Sequence, residues 1–225
     1  MQQNYFMQLN RNWKHAFEQP SYTIQFVFTV IIITCIALFF PGYFDYLEAR
    51  NGVVLHDYLL DTIEARDVSW MVFICLYFGI MVALICILID PQALLIALQT
   101  YALVTILRIT TLYFIRLDPP VGYIEMKDPL FSMLFTTHGK ICSKDLFFSG
   151  HVSTILSLYF ATQQKTAKRF ILLFTLLIAL GVVIQHVHYT IDVLVAPLVT
   201  YWCYLVSKKI TSLILHSPSS FMSTG

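Results

Sequence analysis

Three long apolar runs, at 22–40, 68–89 and 92–115, are followed by three shorter ones with more polar contamination, at 146–162, 170–188 and 189–206. A helix needs roughly 20 mostly apolar residues to cross about 30 Å of hydrocarbon, and lipid offers no partner for an unpaired backbone N–H or C=O. The pattern therefore predicts an all-α, polytopic membrane protein with six transmembrane helices. The second and third runs are separated by little more than Asp90-Pro91, where a proline in the first helical turn fits a tight hairpin. No internal repeat, Gly/Ser-rich linker or low-complexity run interrupts the chain. The expected organisation is an N-terminal cytoplasmic or interfacial segment (1–21), a membrane domain (22–210) and a cytoplasmic tail (211–225). The first run reads as an anchor, since no small-residue cleavage site follows it.

Composition agrees with a bilayer as solvent. Apolar residues make up 58% of the 225-residue chain and charged residues 12%, half of the ~25% usual in soluble domains; the mean hydropathy is +0.72. Lys plus Arg (14) nearly balances Asp plus Glu (13), so no basic surplus is present to displace counterions from a nucleic-acid backbone, and nucleic acid is not an expected partner. The five cysteines fall singly, without zinc-type or disulfide spacing, and read as small packing residues.

Charge also suggests an orientation. Arg11, Lys14, Lys165, Lys168, Arg169, Lys208 and Lys209 flank one set of helix ends, which places both termini on the cytoplasmic side. The opposite loops hold Arg50, Arg66, Arg116, Lys127, Lys140 and Lys144, so the bias rests mostly on the dense 165–169 connection. The first outer loop, 41–67, carries six acids against two bases, with no role readable from its sequence. Phe6, Leu9, Trp13 and Phe17 recur at helical spacing, which suits an interfacial helix and a plain soluble tail equally.

Polar groups at membrane depth are costly and need a reason. Arg108 lies inside the third run, Ser149-Gly150-His151 opens the fourth, and His186, His188 and Asp192 stand at the junction of the fifth and sixth. In a six-span arrangement these meet near the outer interface, Arg108 reaching up by its long side chain. His188 and Asp192, four residues apart, share a face if the sixth helix has begun by His188, and the carboxylate can then fix the imidazole tautomer and leave the other nitrogen free to attack. Glycine at a helix start lets an anion approach the free N–H groups. His151 can then protonate a leaving oxygen while Arg108, Ser149 and Gly150 hold a phosphate. His186 is a secondary candidate, and Asp145 and Lys144 read as groups that order the loop. A zinc site on His151, His186, His188 and Asp192 is the chemical rival, though no HExxH or CxxC spacing supports it. For Arg108 the alternative is a structural cation paired between helices.

Asp145-Leu-Phe-Phe-Ser-Gly-His151 and His186-Val-His-Tyr-Thr-Ile-Asp192 resemble the two signature motifs of the sphingomyelin synthase family, a branch of the phosphatidic acid phosphatase type 2 (PAP2) superfamily. Arg108, Thr111, Tyr113, Leu117 and Pro120 are spaced like that family's arginine-containing motif, so the resemblance covers roughly 108–206. It implies a PAP2-like six-helix bundle with a His151, His188, Asp192 triad facing away from the cytosol. It also implies a phospho-headgroup moved from a membrane phospholipid to a lipid alcohol, ceramide or diacylglycerol, through a phosphohistidine and without metal or other cofactor. A homo-oligomer is compatible with it. The same intermediate with water as acceptor gives a lipid phosphatase or phospholipase C-like hydrolase, and a non-catalytic lipid-binding or transport protein is the third reading. Two departures stand out: Val182 occupies the position, six before His188, where superfamily phosphatases carry an arginine, and Val187 stands where the synthases commonly have an acid.

Overall fold

The computed structural model describes residues 2–128 and 142–215. Lys140, the side chain of Phe6 and residues 216–225 of the expected tail lie outside the described residues. The described chain folds into helices α1 (Gln2–Phe17), α2 (Pro20–Glu48), α3 (Ser69–Ile87), α4 (Pro91–Phe114), α5 (Gly150–Ala161), α6 (Lys165–Ile184) and α7 (Thr190–Leu215), with a single 3-10 turn at Leu60–Thr62. Among the described residues there is no strand, and one isolated parallel bridge joins Val53 to Leu117.

Five helices, α2, α3, α4, α6 and α7, are long and apolar enough to cross a membrane, which marks a multi-pass membrane protein. The sixth expected span is present as α5, but its 12 helical residues reach only about 18 Å. Residues 146–149 lead into it without helical structure. Helix α5 packs against α3, α4, α6 and α7 together, so its short length recesses its first turn among longer neighbours.

Local chemistry sets the helix starts. Pro20 and Pro91 occupy first-turn positions where a missing N–H costs nothing. Asp90 caps α4 by accepting from the amides of Gln92 and Ala93 at 3.0 and 3.2 Å. Asp67 accepts from both the amide and the hydroxyl of Ser69 at the start of α3.

Helices in lipid gain little from burying apolar surface against each other, so contact is made by small residues and satisfied hydroxyls. Gly79 of α3 faces Ile155 of α5, with room for a Cβ only 2.6 Å from Ile155 Cδ1, and Gly181 of α6 lies directly against Val72 of α3. The buried hydroxyls of Ser153, Ser157, Thr175 and Thr200 each donate to the carbonyl one turn earlier in their own helix, at 2.7–2.8 Å. Large apolar side chains such as Phe28, Leu38 and Leu198 are exposed on the outer surface of the bundle.

The amino-terminal segment forms helix α1, docked on the α3–α4 connection. Trp13 Nε1 donates to the Leu88 carbonyl at 2.8 Å and Asn12 Nδ2 to that of Ile89 at 2.9 Å. The rings of Trp13, Phe17, Tyr22 and Phe26 pack together beside this contact.

Candidate active site

Two helix starts and one mid-helix cation meet at the recessed end of α5. The first start is Ser149-Gly150-His151. The Ser149 amide donates to the Asp192 carbonyl at 3.1 Å, which ties the head of α5 to the head of α7. Ser149 is the residue before the first helical turn, yet its side chain makes no cap, and its buried Oγ has no partner.

The second start is the α6–α7 turn. Helix α6 ends at Ile184, and His186 takes φ +54°, the left-handed region that reverses a chain. The amides of Val187 and His188 then both return to the Val182 carbonyl, at 3.0 and 3.3 Å. The His186 ring points away from His188: Nδ1 lies 2.7 Å from the Val121 carbonyl and Nε2 3.0 Å from that of Ile63. His186 is therefore a brace between the α2–α3 loop and the segment that follows α4. Gly122, at φ +80°, leaves the space that this ring occupies.

His188 and Asp192 are both essentially sealed from the surface. Nδ1 of His188 stands 3.5 Å from Oδ2 of Asp192, at the far limit of a hydrogen bond. Oδ2 is already taken by the Tyr189 amide at 3.0 Å, and Oδ1 has no partner. A small rotation of the carboxylate would close the bond to Nδ1. The His151 ring lies 6.3 Å from that of His188 and packs edge-on against Phe73 at 5.9 Å.

The cation comes from α4. Arg108 Nη2 pairs with Asp145 Oδ1, and its side chain is 12% exposed. Gly150 is required here, because a Cβ at that position would overlap the guanidinium. Thr111, one turn along α4, donates to the Phe147 carbonyl at 3.1 Å and fixes α4 to the segment that leads into α5.

The sequence-derived candidates thus separate. Arg108, Asp145, Ser149, Gly150, His151, His188 and Asp192 come together. Asp145, read from sequence as a loop-ordering group, is the direct partner of Arg108. Lys144 stands apart, paired with Asp118 at 3.0 Å and bonded to the Arg50 carbonyl. His186 is the brace just described. Among the described residues no three His, Cys, Asp or Glu side chains converge as a metal site. Sequence reasoning did not single out Phe73, which looks like any apolar residue of a span, nor Asp57. Asp57 accepts from the amide of Thr190, the first residue of α7, at 2.7 Å and from its hydroxyl at 3.0 Å. No local pattern joins residues 133 positions apart.

Fold and site define a helical, multi-pass membrane protein with two histidines, an aspartate and an arginine gathered at paired helix ends. Residues 142–209 match the family model described as PAP2 superfamily C-terminal. The matched stretch holds both histidine segments, and it supports the PAP2 superfamily. Comparison with the curated proteins gives no match.

Proposed function

We propose that the protein is a membrane lipid phosphotransferase that carries a phospho-headgroup from a phospholipid to a lipid alcohol through His188. The carrying observation is the concentration of unpartnered buried polar atoms. Arg108 Nε, Ser149 Oγ, His188 Nδ1 and Asp192 Oδ1 all lack a hydrogen-bond partner and all belong to this one cluster. Buried polar atoms are nearly always paired; the histidine and carboxylate atoms face each other across the loose His188–Asp192 pair, which leaves Arg108 Nε and Ser149 Oγ as the donors open to a polar ligand. PAP2 superfamily members are typically phosphatases or phosphotransferases, which agrees with a phosphate as that ligand.

The proposed reaction uses these groups in turn. Asp192 holds the proton on His188 Nδ1, which leaves Nε2 to attack phosphorus. The new N–P bond forms as the P–O bond to the glycerol oxygen breaks. His151 gives its proton to that oxygen, and diacylglycerol leaves. The hydroxyl of a second lipid alcohol, ceramide or diacylglycerol, then loses its proton to His151 and attacks the phosphohistidine, regenerating both rings. Arg108, held by Asp145, and the Ser149-Gly150 start of α5 face the phosphate oxygens.

The two departures from the phosphatase pattern bear on the substrate. Val182, in place of an arginine, is fully buried in the apolar core. A phosphomonoester is nearly dianionic and calls for several cations, whereas a diester headgroup carries a single phosphate charge that Arg108 can meet. The reading is therefore a phosphodiester donor, with transfer favoured over monoester hydrolysis. By the charge of the flanking loops the site faces the outer side of the membrane and the termini face the cytoplasm.

The test uses purified protein and His188→Ala, each incubated with a mixed phospholipid extract carrying labelled phosphate and quenched quickly in alkali. Acid-labile, alkali-stable label on the wild type alone is expected. Lipid turnover continuing without label in both proteins overturns the phosphohistidine route. Adding or withholding ceramide separates transfer from hydrolysis: product formed equally without acceptor gives the hydrolase.

A further inference from the structure

The acidic first outer loop has a defined place in the structure. Asp57 sits half-buried between the 3-10 turn and the head of α7, and its carboxylate is fully engaged. Oδ2 accepts the Thr190 amide at 2.7 Å, while Oδ1 accepts the Thr190 hydroxyl at 3.0 Å and the amides of Leu59 and Leu60 at 3.1 and 3.4 Å. Asp57 thereby caps α7 from 133 residues away. A first-turn N–H of a helix is normally satisfied by the residue just ahead of it. Here that neighbour is Tyr189, which has no side-chain acceptor in reach and is itself tied to the same region. Its hydroxyl donates to the Asp118 carbonyl at 2.8 Å and accepts the Leu55 amide at 3.0 Å.

Tyr189 and Thr190 are the two residues that follow His188 and precede Ile191-Asp192. Both are held from outside their own helix, one through its side chain and the other through its backbone and hydroxyl. The His188–Asp192 separation of 3.5 Å must shorten for the pair to work, and the turn that decides it is hung on residues 55–57 and 118. Burial pushes the Asp57 carboxyl up, but the bonds from Thr190, Leu60 and Leu59 outweigh it and hold it below the ordinary carboxylate value. The carboxylate is thus charged in its capping role.

We propose that Asp57 is a positioning residue for the His188–Asp192 pair, acting through Thr190 as a cap supplied in trans. For its effect on turnover the proposal rests on the phosphotransfer reading above. Asp57 touches neither substrate nor reacting atoms. Misplacing reacting groups by about 1 Å can cost on the order of 100-fold in rate, so loosening this turn acts on kcat first.

The test compares full-length Asp57→Ala, Asp57→Asn, Tyr189→Phe and, as a control, Asp61→Ala, an exposed carboxylate facing His56 at 3.1 Å. Each is purified into lipid nanodiscs and read two ways. Turnover is measured with phosphate-labelled phospholipid and ceramide, and the ring nitrogens of His188 are observed by NMR after histidine 15N labelling. Asp57→Ala is expected to lower kcat at least 10-fold with KM within twofold, and to move the His188 ring signals. Asn keeps one acceptor oxygen for the Thr190 amide but sets its NH2 group against the Leu59 and Leu60 amides, so Asp57→Asn is expected to fall between wild type and Ala in kcat, and Asp61→Ala to leave both readouts unchanged. Should Asp57→Ala not fold, Asp57→Asn decides by the same readouts, and Tyr189→Phe, which keeps the ring and loses both bonds, reports on the neighbouring tie alone. Unmoved His188 signals and unchanged kcat overturn the proposal. So does a rise in KM alone, or an Asn variant as impaired as Ala. A wild type inactive on phospholipid refutes the phosphotransfer reading, while the His188 signals still decide whether Asp57 positions the turn.

Discussion

Gly150→Ala isolates the contact between the head of α5 and the cation. A methyl carbon built on Gly150 falls 2.6 Å from Arg108 Cζ and 3.1 Å from Nη2, against about 3.5–4.0 Å for an ordinary contact. Nη1 lies closer still and overlaps the methyl, so the guanidinium must retreat by about 2 Å. It cannot do so freely, because Nη2 is paired with Asp145 and the side chain is largely enclosed. Under the proposed function, in which Arg108 holds the reacting phosphate, a displacement of that size costs at least on the order of 100-fold in kcat/KM, equivalent to about 2.7 kcal/mol of transition-state stabilisation. The backbone does not suffer: Gly150 is not among the positive-φ residues, and Ala in a helix is favoured over Gly by about 0.5–1 kcal/mol. The expected signature is lost turnover with an unchanged or raised thermal midpoint. Both are measured on the purified protein, by turnover of labelled phospholipid in mixed vesicles and by thermal unfolding in the same detergent. Turnover within threefold of wild type in a folded Gly150→Ala protein would refute the placement of Arg108 at the phosphate.

Asp145→Asn keeps the shape of the Arg108 partner but removes its charge, and kcat/KM in the same assay is expected to fall about 10-fold, less than the 10²–10³ of losing a charge-stabilising donor outright, as in Arg108→Ala. Ser149→Ala removes a buried hydroxyl without a partner that performs no capping; thermal unfolding should show a midpoint equal to or above wild type, with turnover reduced. Gly181→Leu drives a side chain into Val72 at the α3–α6 contact, and overpacking of this kind costs about 1–3 kcal/mol, read as a lower midpoint with residual turnover per folded molecule unchanged. Asp57 has a folded-state value below its ordinary one, so its contribution to stability is full above the unfolded value and lost as pH falls through the folded value. The midpoint difference between wild type and Asp57→Ala should be constant near neutrality and narrow only below about pH 4. A difference that instead narrows toward alkaline pH rejects the carboxylate as the cap.

What could be read from the sequence was whatever depends on local spacing. The long apolar runs mark α2, α3 and α4 because span length is fixed by bilayer thickness, and Asp90-Pro91 marks a hairpin because its cap and first turn are contiguous. His188 and Asp192 come within 3.5 Å, although α7 begins only at Thr190 and His188 lies ahead of it, so their nearness comes from the turn and not from a shared helix face. The spacing of His186 set it apart from His188, but its role as a brace depends on Val121 and Ile63, which no periodicity links to it. The short α5 was legible as an apolar segment but not in length. Its lead, residues 146–149, is apolar apart from Ser149 and held in place by partners elsewhere: Thr111 takes Phe147, and Asp192 takes Ser149. Asp57 was legible only as one of six acids, since a cap supplied across 133 residues has no sequence signature.

The arrangement of bonds explains why the polar cluster sits where it does. Inside the bundle, serine and threonine hydroxyls fold back on their own helices, so they need nothing from a neighbour. A ligand site cannot be built that way, because satisfied groups have nothing to offer. Helix ends are different: their first N–H groups are free by construction, and side chains there can stay unpaired without disturbing a ladder. The head of α5 supplies such an end, and the head of α7, whose own first amides are taken by Asp57 and Asp192, brings His188 and Asp192 to it, the two locked by the Ser149 amide on the Asp192 carbonyl. The mid-helix Arg108 is brought to them by Asp145 and by Thr111 on Phe147. The cation side and the histidine side are therefore both fastened to the single segment 145–151. That segment fixes the distance between Arg108 and the His188 ring, which under the proposed function is the distance a phosphate spans.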